Sequence, residues 1–394
     1  MGARVQQVST NPIGAWWPLL AAVAVAALTV GALLALGARR ARVAAAGRAS
    51  WVEITPPAVM PAEGAHGLWR ALAGLLSRTR RYGLAPRHLA VEFVADATGM
   101  RVGVWVPPAL SASSVAQAIG RCWPGARATI IRTPPTVSGG DGGGRVTAAH
   151  VMPRGGAWAP LVDPTRTARR QTGEVDGLHS ALAALAERGE GERACVQLVV
   201  SRAATIGRGR GDRALWARIV LGILRAPFVV FLAVADVLFT RGSATSRPNA
   251  TTSSTPDDPA VAARRKAVEA KQAHGPHLHA TLRLALCSPV SRGLRRRAVN
   301  ALVNGYDLAS PAATLYTRPA RRARRLVQRR PGRGRDRFVI TLDEADALWH
   351  LPDEPAQYGI TDATARIRRP RRDLPRFTPR HRPEQSDGGH DAAA

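Results

Sequence analysis

An apolar run without a charged residue extends from Ile13 to Gly37, near the start of the chain. At about 1.5 Å per residue, a helix of this length crosses the ~30 Å hydrocarbon core of a bilayer. The pattern therefore predicts a transmembrane helix over 13–37, with membrane lipids as its partners. A cleaved signal peptide is the alternative, but its apolar region would be shorter and arginines would not follow it.

The charges that flank this run predict its orientation. Arginines follow it closely, whereas only Arg4 precedes it. Positive charge gathers on the cytoplasmic side of membrane helices, and tryptophan gathers at both interfaces. We therefore expect a single pass through the inner cell membrane, with residues 1–12 outside and the bulk of the chain cytoplasmic. The residues expected at the membrane interface are Trp16, Trp17, Arg39, Arg40 and Arg42.

Beyond a basic linker over 38–50, the pattern alternates between the period of strands and the period of amphipathic helices. In chain order it predicts a strand at 51–54, a helix at 63–78, strands at 88–95 and 100–106, a helix at 111–122 and a strand at 128–132. Ser111 is the expected N-cap of the second helix. The β-α-β-β-α-β order is typical of a ferredoxin-like domain, which we expect over 51–135.

The same pattern then recurs in the next part of the chain. It predicts a strand at 146–152, a helix at 176–187, strands at 193–201 and 277–287, a helix at 291–306 and a strand at 313–317. This second copy spans 145–317 and carries an insertion over 202–275 in place of a hairpin turn. The predicted fold class is therefore α+β, with an N-terminal transmembrane helix followed by two tandem ferredoxin-like domains.

The insertion combines an apolar stretch over 214–239 with a Ser/Thr/Pro-rich linker over 242–259 whose composition is typical of disorder. Arg218 and Arg225 share one stripe of the apolar stretch, and Pro227 would kink a helix there. A second membrane span would bury these charges at considerable cost. We favour a helix lying in the membrane interface. A second span and a soluble core or partner-facing helix are the alternatives.

The C-terminal region is rich in arginine. Arginines dominate 318–337, residues 338–351 predict a small strand and helix, and 352–394 have the composition of a disordered tail. The whole chain carries a net charge of +28, from 56 Lys+Arg against 28 Asp+Glu. A GC-rich genome accounts for part of this arginine, but such a body is still attracted to phosphate on nucleic acid or lipid.

The arginine-rich segment is the best candidate for a functional surface. Aromatic residues are scarce in it, so any contact with DNA would be non-specific. A solvated linker is the alternative interpretation. The candidate contacts with DNA or lipid phosphate are Arg321, Arg322, Arg324, Arg325, Arg329 and Arg330.

The other motifs give no catalytic site. FVITLDEAD at 338–346 resembles a Walker B strand, but the GxxxxGK[ST] loop that such a site requires does not occur. Its acidic residues fit the N-terminus of a helix better. His277 and His279 share a strand face without a third metal ligand, and the three cysteines form no CxxC. We therefore expect no enzyme activity, no metal and no cofactor.

Several strings carry a resemblance to one class of protein. They are WVEITPP at 51–57, GLWRALAGLL at 67–76, RHLAVEF at 87–93, RVGVWVP at 101–107, CWPGA at 122–126, ALWHLP at 347–352 and RRPRRDLP at 368–375. Together they resemble the N-terminal, membrane-proximal region of actinobacterial conjugative DNA-transfer proteins of the type IV secretion, coupling-protein class. In that class a hexameric motor ATPase follows, whereas this sequence has no Walker A loop.

The resemblance implies a non-catalytic, membrane-anchored component of a DNA-transfer apparatus. A separate motor ATPase, or other subunits of the apparatus, would be its partners, and the chain would form a homo-oligomer. Alternatively, the chain is a truncated relic of a coupling protein. Two other classes stay open: a membrane-surface scaffold with no nucleic-acid role, and a membrane-anchored enzyme whose site is unrecognised.

Overall fold

A computed structural model of the protein describes residues 12–58, 60–61, 63–79, 86–137, 144–163, 176–203, 259–332, 334 and 336–363. Within the first helix, the side chains of 12–21, 23, 24 and 42 lie outside this description. The apolar stretch at 214–239, nearly all of the linker at 242–259 and the tail beyond 363 also lie outside the described residues.

The elements follow the predicted order closely. The helices are α1 Pro12–Gly47, α2 Gly64–Arg78, α3 Ala112–Cys122, α4 His179–Ala186, α5 Pro259–Ala273, α6 Arg292–Asn304, α7 Ala323–Arg329 and α8 Leu342–Leu348. The strands are β1 Ser50–Thr55, β2 His88–Asp96, β3 Gly99–Val106, β4 Arg127–Ile131, β5 Arg145–Pro153, β6 Arg193–Arg202, β7 Leu278–Ser288, β8 Leu315–Pro319 and β9 Phe338–Ile340.

The fold is α+β, and its strands form one antiparallel sheet in the order β4-β1-β3-β2-β6-β7-β5-β8, with β9 added beside β7. The first four strands alternate with α2 and α3, and the next four with α4 and α6. The two halves therefore have the same strand order when each is read from its outer edge, β4 or β8, toward the junction between β2 and β6. This junction pairs nine residues of each strand, from His88 opposite Ser201 to Asp96 opposite Arg193.

One face of the sheet carries the helices and the main core. The alternate residues Leu89, Val91 and Phe93 of β2 point into it, as do Val196 and Leu198 of β6. Helix α2 buries the stripe formed by Leu68, Trp69, Leu72 and Leu76. As predicted, Ser111 caps α3, since its hydroxyl accepts a hydrogen bond from the backbone N–H of Ser114.

Helix α1 is longer than the predicted membrane segment. It continues to Gly47, so residues 38–47 are helical and do not form a separate linker. Alanine and arginine are strong helix formers, and no proline or glycine interrupts them between 38 and 46. The end of α1 is joined to the sheet, because Ala45 and Ala49 are buried and Ala46 packs beside Trp51. Among the residues whose side chains are described, no helix is long and apolar enough to cross a membrane.

The C-terminal segment is part of the body of the protein. Residues 318–337, predicted as an arginine-rich segment with a solvated linker as the alternative, contain α7, which packs on the sheet. The disordered tail was expected to begin at 352, but 352–363 are ordered: Tyr358 and Ile360 are buried, and Ile360 forms a bridge to Met100. The composition of this segment misled the prediction, because a few apolar residues suffice to dock it on an existing core.

Trp349, directly after α8, is buried on the helical face against residues of the first half. Its ring is fully buried, 6.0 Å from the ring of Trp69 and 5.4 Å from that of Phe93. The indole N–H of Trp69 donates to the Trp349 carbonyl at 2.9 Å. A residue from the C-terminal segment therefore completes the core of the first half.

The variant Trp349→Ala is expected to lower the free energy of unfolding by about 3–5 kcal/mol, because it leaves a large cavity. Trp349→Phe is the matched control and is expected to cost less, because the indole N–H of Trp349 has no hydrogen-bond partner among the described residues. Urea unfolding of the full chain measures both values. Equal and small losses would contradict the assignment of Trp349 to the core.

Candidate polyanion surface and the charge row beneath it

Helix α7 has one apolar side and one basic side. Val327 is buried and Ala323 is partly buried, and both pack against the face of the sheet opposite the main core. They meet Val94, Cys195 and Ala285, one residue from each of three adjacent strands. The sequence ARRLVQR therefore forms a short amphipathic helix with its arginines directed away from the sheet.

Five of the six predicted arginines are exposed on this surface, which we call the α7 arginine face. It consists of Arg321, Arg322, Arg324, Arg325 and Arg329. None of the five forms an ion pair with a described carboxylate. A fixed group of guanidinium donors suits phosphate oxygens, which they can contact in a bidentate way.

Arg330 does not belong to this surface, so its prediction as a phosphate contact is corrected. It is 3% exposed, and its guanidinium forms a two-point ion pair with Glu92 of β2, with Nη2 at 2.8 Å from Oε2. Nη2 also donates to the Pro135 carbonyl at 3.0 Å, and the guanidinium lies over the ring of Trp105. Arg330 is buried because the chain turns toward the sheet at the end of α7, where Arg330 has a φ of 47°.

Glu92 is one member of a row of polar residues that crosses the sheet beneath the C-terminal segment. The register places Glu92 opposite Gln197, Gln197 opposite Arg283, and Arg283 opposite His150. His150 in turn faces Arg318 of β8. These five residues, from five adjacent strands, form what we call the charge row.

The charge row holds the C-terminal segment to the sheet through several bonds. The Gln197 amide donates to Glu92 at 2.8 Å and to the Val327 carbonyl at 3.1 Å. Arg283 donates to the Pro331 carbonyl. Asp336 accepts from Arg318 at 2.8 Å and lies 3.6 Å from His150. The row therefore fixes α7 in place and directs its arginine face outward.

Burial sets the electrostatics of the charge row. It lowers the pKa of Arg283 to about 10, although Asp336 and Glu92 oppose the shift. It also lowers the pKa of His150, with the nearby Arg283 acting in the same direction. Nε and Nη1 of Arg283 have no partner among the described residues. The charged side chains of the row lose hydration on burial, so their net contribution to the free energy of unfolding depends on the hydrogen bonds and ion pairs among them.

Sequence reasoning missed the charge row, although a signal for it was present. Glu92, Gln197 and Arg283 each stand in the middle of an otherwise apolar strand: HLAVEFVA, RACVQLVV and HATLRLAL. A charged or amide residue at such a position is expected to have a polar partner when buried. The sequence does not tell which residue that partner is, because Arg330 is far from Glu92 along the chain.

The acidic residues of FVITLDEAD lie at a helix N-terminus, as predicted. Glu344 and Thr341 form a capping box at the start of α8. Glu344 is also buried and pairs with Lys271 of α5, with Nζ at 2.8 Å from Oε2. Burial lowers the pKa of Lys271, and Glu344 opposes this shift. Thus one of the few lysines of the chain connects α5 to α8.

The remaining candidates are placed as follows. His277 shares a hydrogen bond with the Lys271 carbonyl at 2.8 Å and lies 5.2 Å from the ring of Trp158. No group of three His, Cys, Asp or Glu that could hold a metal occurs in the described part of the chain. Arg39 and Arg40 are exposed on α1, while the side chains of Trp16, Trp17 and Arg42 lie outside the description. The cysteines are free, and burial raises the pKa of Cys195 beneath α7.

Comparisons with protein-family models, with curated proteins and with solved structures found no match to this chain. The interpretation of the site therefore depends on its own geometry, together with the resemblance noted in the sequence.

Removing one partner of the buried ion pair is expected to be costly. Arg330→Met should lower the free energy of unfolding by about 3–5 kcal/mol, since it leaves the Glu92 carboxylate buried without its main partner. The double variant Glu92→Met with Arg330→Met should recover a large part of this loss. Urea unfolding measures both, and a double variant as unstable as the sum of the singles would contradict the pairing.

The buried His150 should make stability depend on pH. Its folded-state pKa is lowered, so the unfolded chain binds more protons as the pH falls through about 6.5, and the free energy of unfolding decreases there. His150→Gln is expected to reduce this slope between about pH 7 and pH 5. Unfolding curves at several pH values check it, with the exposed His274→Gln as control. An unchanged slope in His150→Gln would count against a neutral buried His150.

Proposed function

We propose that this chain is a non-catalytic, membrane-anchored component of a conjugative DNA-transfer apparatus of the type IV secretion class. The α7 arginine face would contact the phosphate backbone of DNA passing the membrane. The observation that carries this proposal is the fixed display of five exposed arginines, three on α7 and two directly before it, next to a helix whose other side packs on the sheet. A solvated linker would have neither the buried contacts nor the one-sided arrangement.

The anchor is proposed to be α1, crossing the inner membrane once with its N-terminus outside. Its described apolar side chains are widely exposed, with Leu28 at 66% and Leu34 at 69%. Val25, Val30 and Leu33 are similarly exposed. An uncovered apolar helix of this kind is unfavourable in water and favourable in lipid. Arg39 and Arg40 would then lie at the cytoplasmic headgroups.

We assign the two halves of the sheet to two ferredoxin-like domains. When the four strands of each half are numbered along the chain, their order in the sheet is 4-1-3-2. The third strand therefore lies between the first and the second, as the split βαβ arrangement requires. The halves would act as an assembly module, joined edge to edge through β2 and β6. In agreement with the sequence resemblance, we propose that the chain forms a homo-oligomer and that a separate motor ATPase supplies the energy.

The position of α7 favours DNA over lipid as the ligand of its arginine face. On β6, the end of α1 packs near Val199, whereas α7 packs on Cys195. These residues are separated by about 13 Å along the strand, at ~3.3 Å per residue. The first turn of α7 thus lies toward the end of the sheet that is remote from the anchor, whereas the chain that follows α7 returns toward the anchor, since the Arg330 carbonyl shares a hydrogen bond with Nε2 of His88. Lipid charge would therefore act most weakly on the arginines at the start of the segment, because salt screens charges over about 8 Å.

DNA binding by the full chain, incorporated in nanodiscs of neutral lipid, tests this function. We expect salt-dependent binding of duplex DNA, followed by fluorescence anisotropy. The variant Arg321→Gln/Arg325→Gln/Arg329→Gln should weaken it and reduce the slope of log K against log salt by roughly 0.9 for each phosphate that is no longer neutralised. The control Arg292→Gln/Arg296→Gln/Arg297→Gln removes the same charge from exposed positions of α6.

Equal effects of the two triple variants would contradict a role for the α7 arginine face. No DNA binding at low salt would contradict the DNA role altogether. In that case the exposed α1 and its flanking arginines favour the second candidate, a membrane-surface scaffold without a nucleic-acid ligand.

A further inference from the structure

Three chain connections meet at one end of the sheet. Helix α1 enters β1 at Ser50, β6 ends at Arg202, and β7 begins at Leu278, directly opposite Arg202. Through β3 and β2, the register places Ser50 in the same row as Val200 of β6. We call this the anchor end of the sheet, and the opposite end, with Arg145, Arg193 and Ser288, the far end.

The chain connections at the anchor end lie close enough together to face the same membrane surface. Strands β1 and β6 are three strand spacings apart, which is about 14 Å. Arg202 extends only two residues beyond the row of Ser50, or about 7 Å. With Arg39 and Arg40 at the headgroups, the helical residues that lead from Arg39 to Gly47 span about 12 Å, so the last turns of α1 connect the bilayer to this end of the sheet, where β6 ends and β7 begins.

Helix α5 ends close to this anchor end, because only residues 274–277 separate it from β7 and His277 shares a hydrogen bond with the Lys271 carbonyl. It is largely exposed, including Arg264, Arg265 and Lys266 in consecutive positions and Val261 at 44% exposure. Glu269 is the only acidic residue in the helix. Within Pro259–Ala273, the exposed cations Arg264, Arg265 and Lys266 therefore outnumber the single carboxylate and lie within one turn of an apolar residue, which suits an anionic membrane surface.

The orientation of α5 is fixed by its last turn. The Nζ of Lys271 donates to the Ala159 carbonyl at 2.8 Å and pairs with the buried Glu344. Glu344 is held in turn by the backbone N–H groups of Leu161 and Thr341. This buried pair joins α5 to the body of the protein, so that the basic turn at 264–266 keeps its place relative to α1.

We propose that the anchor end of the sheet faces the bilayer and that the basic turn of α5 binds anionic lipid headgroups. The inference rests on the proposed anchoring by α1. It gives the protein a second, electrostatic contact with the membrane, and it leaves the far end and the α7 arginine face directed away from the lipid.

Quenching of a fluorophore by headgroup-labelled lipid tests the proposal on the full chain in nanodiscs. Bimane is attached at Ala263→Cys in a Cys122→Ser background, with Gly293→Cys, where an added side chain meets open space, as the far-end reference. Quenching at Ala263→Cys should increase when phosphatidylserine is added to phosphatidylcholine, and high salt should remove the increase. The far-end label should show little quenching in either lipid.

Neutralising the basic turn is the decisive comparison. The variant Arg264→Gln/Arg265→Gln/Lys266→Gln should lose the phosphatidylserine-dependent increase, whereas the triple Gln variant of Arg292, Arg296 and Arg297 in α6 should keep it. A chain that enters nanodiscs but shows no lipid-dependent quenching at α5, or whose α5 label responds to duplex DNA instead, would overturn this inference alone. A chain that does not enter nanodiscs would overturn the anchor of the proposed function as well.

Discussion

The antiparallel junction between β2 and β6 is the contact on which the other features of the structure depend. It turns two four-stranded halves into one sheet, and both faces of that junction are closed by the same C-terminal segment. On one face Trp349 packs against Phe93 of β2. On the other, Glu92 of β2 and Gln197 of β6 hold Arg330 and the end of α7. The central strands therefore have no exposed face at this point.

This arrangement explains how a very basic segment can pack on the sheet on one side and stay exposed to solvent on the other. An arginine at the end of α7 satisfies a buried carboxylate, while the arginines on its outer side stay in solvent. Burying one charge pair is costly unless its geometry is good, but here the guanidinium bonds in two places and gains a further carbonyl partner. The result is an arginine face whose position is set by the sheet.

The second buried pair, Lys271 with Glu344, has a comparable effect on the other side of the molecule. It connects the returning end of the insertion to α8, which is in turn fixed by the packing of Trp349. Two ion pairs between residues distant in sequence thus attach the insertion and the C-terminal segment to one body. An electrostatic contact of α5 with lipid would then be transmitted to a rigid frame rather than to a loose helix.

Periodicity in the sequence was sufficient to predict the order of strands and helices in the two similar halves and the cap at Ser111, because apolar alternation and local capping are properties of neighbouring residues, but it did not predict α7. Only the tertiary structure decided that α1 continues to Gly47, that residues 352–363 are packed, and that Arg330 is buried while Arg329 beside it is exposed. Those outcomes depend on partners such as Glu92 and Phe93, which the register of β2 brings into contact across the fold and which no local pattern can specify.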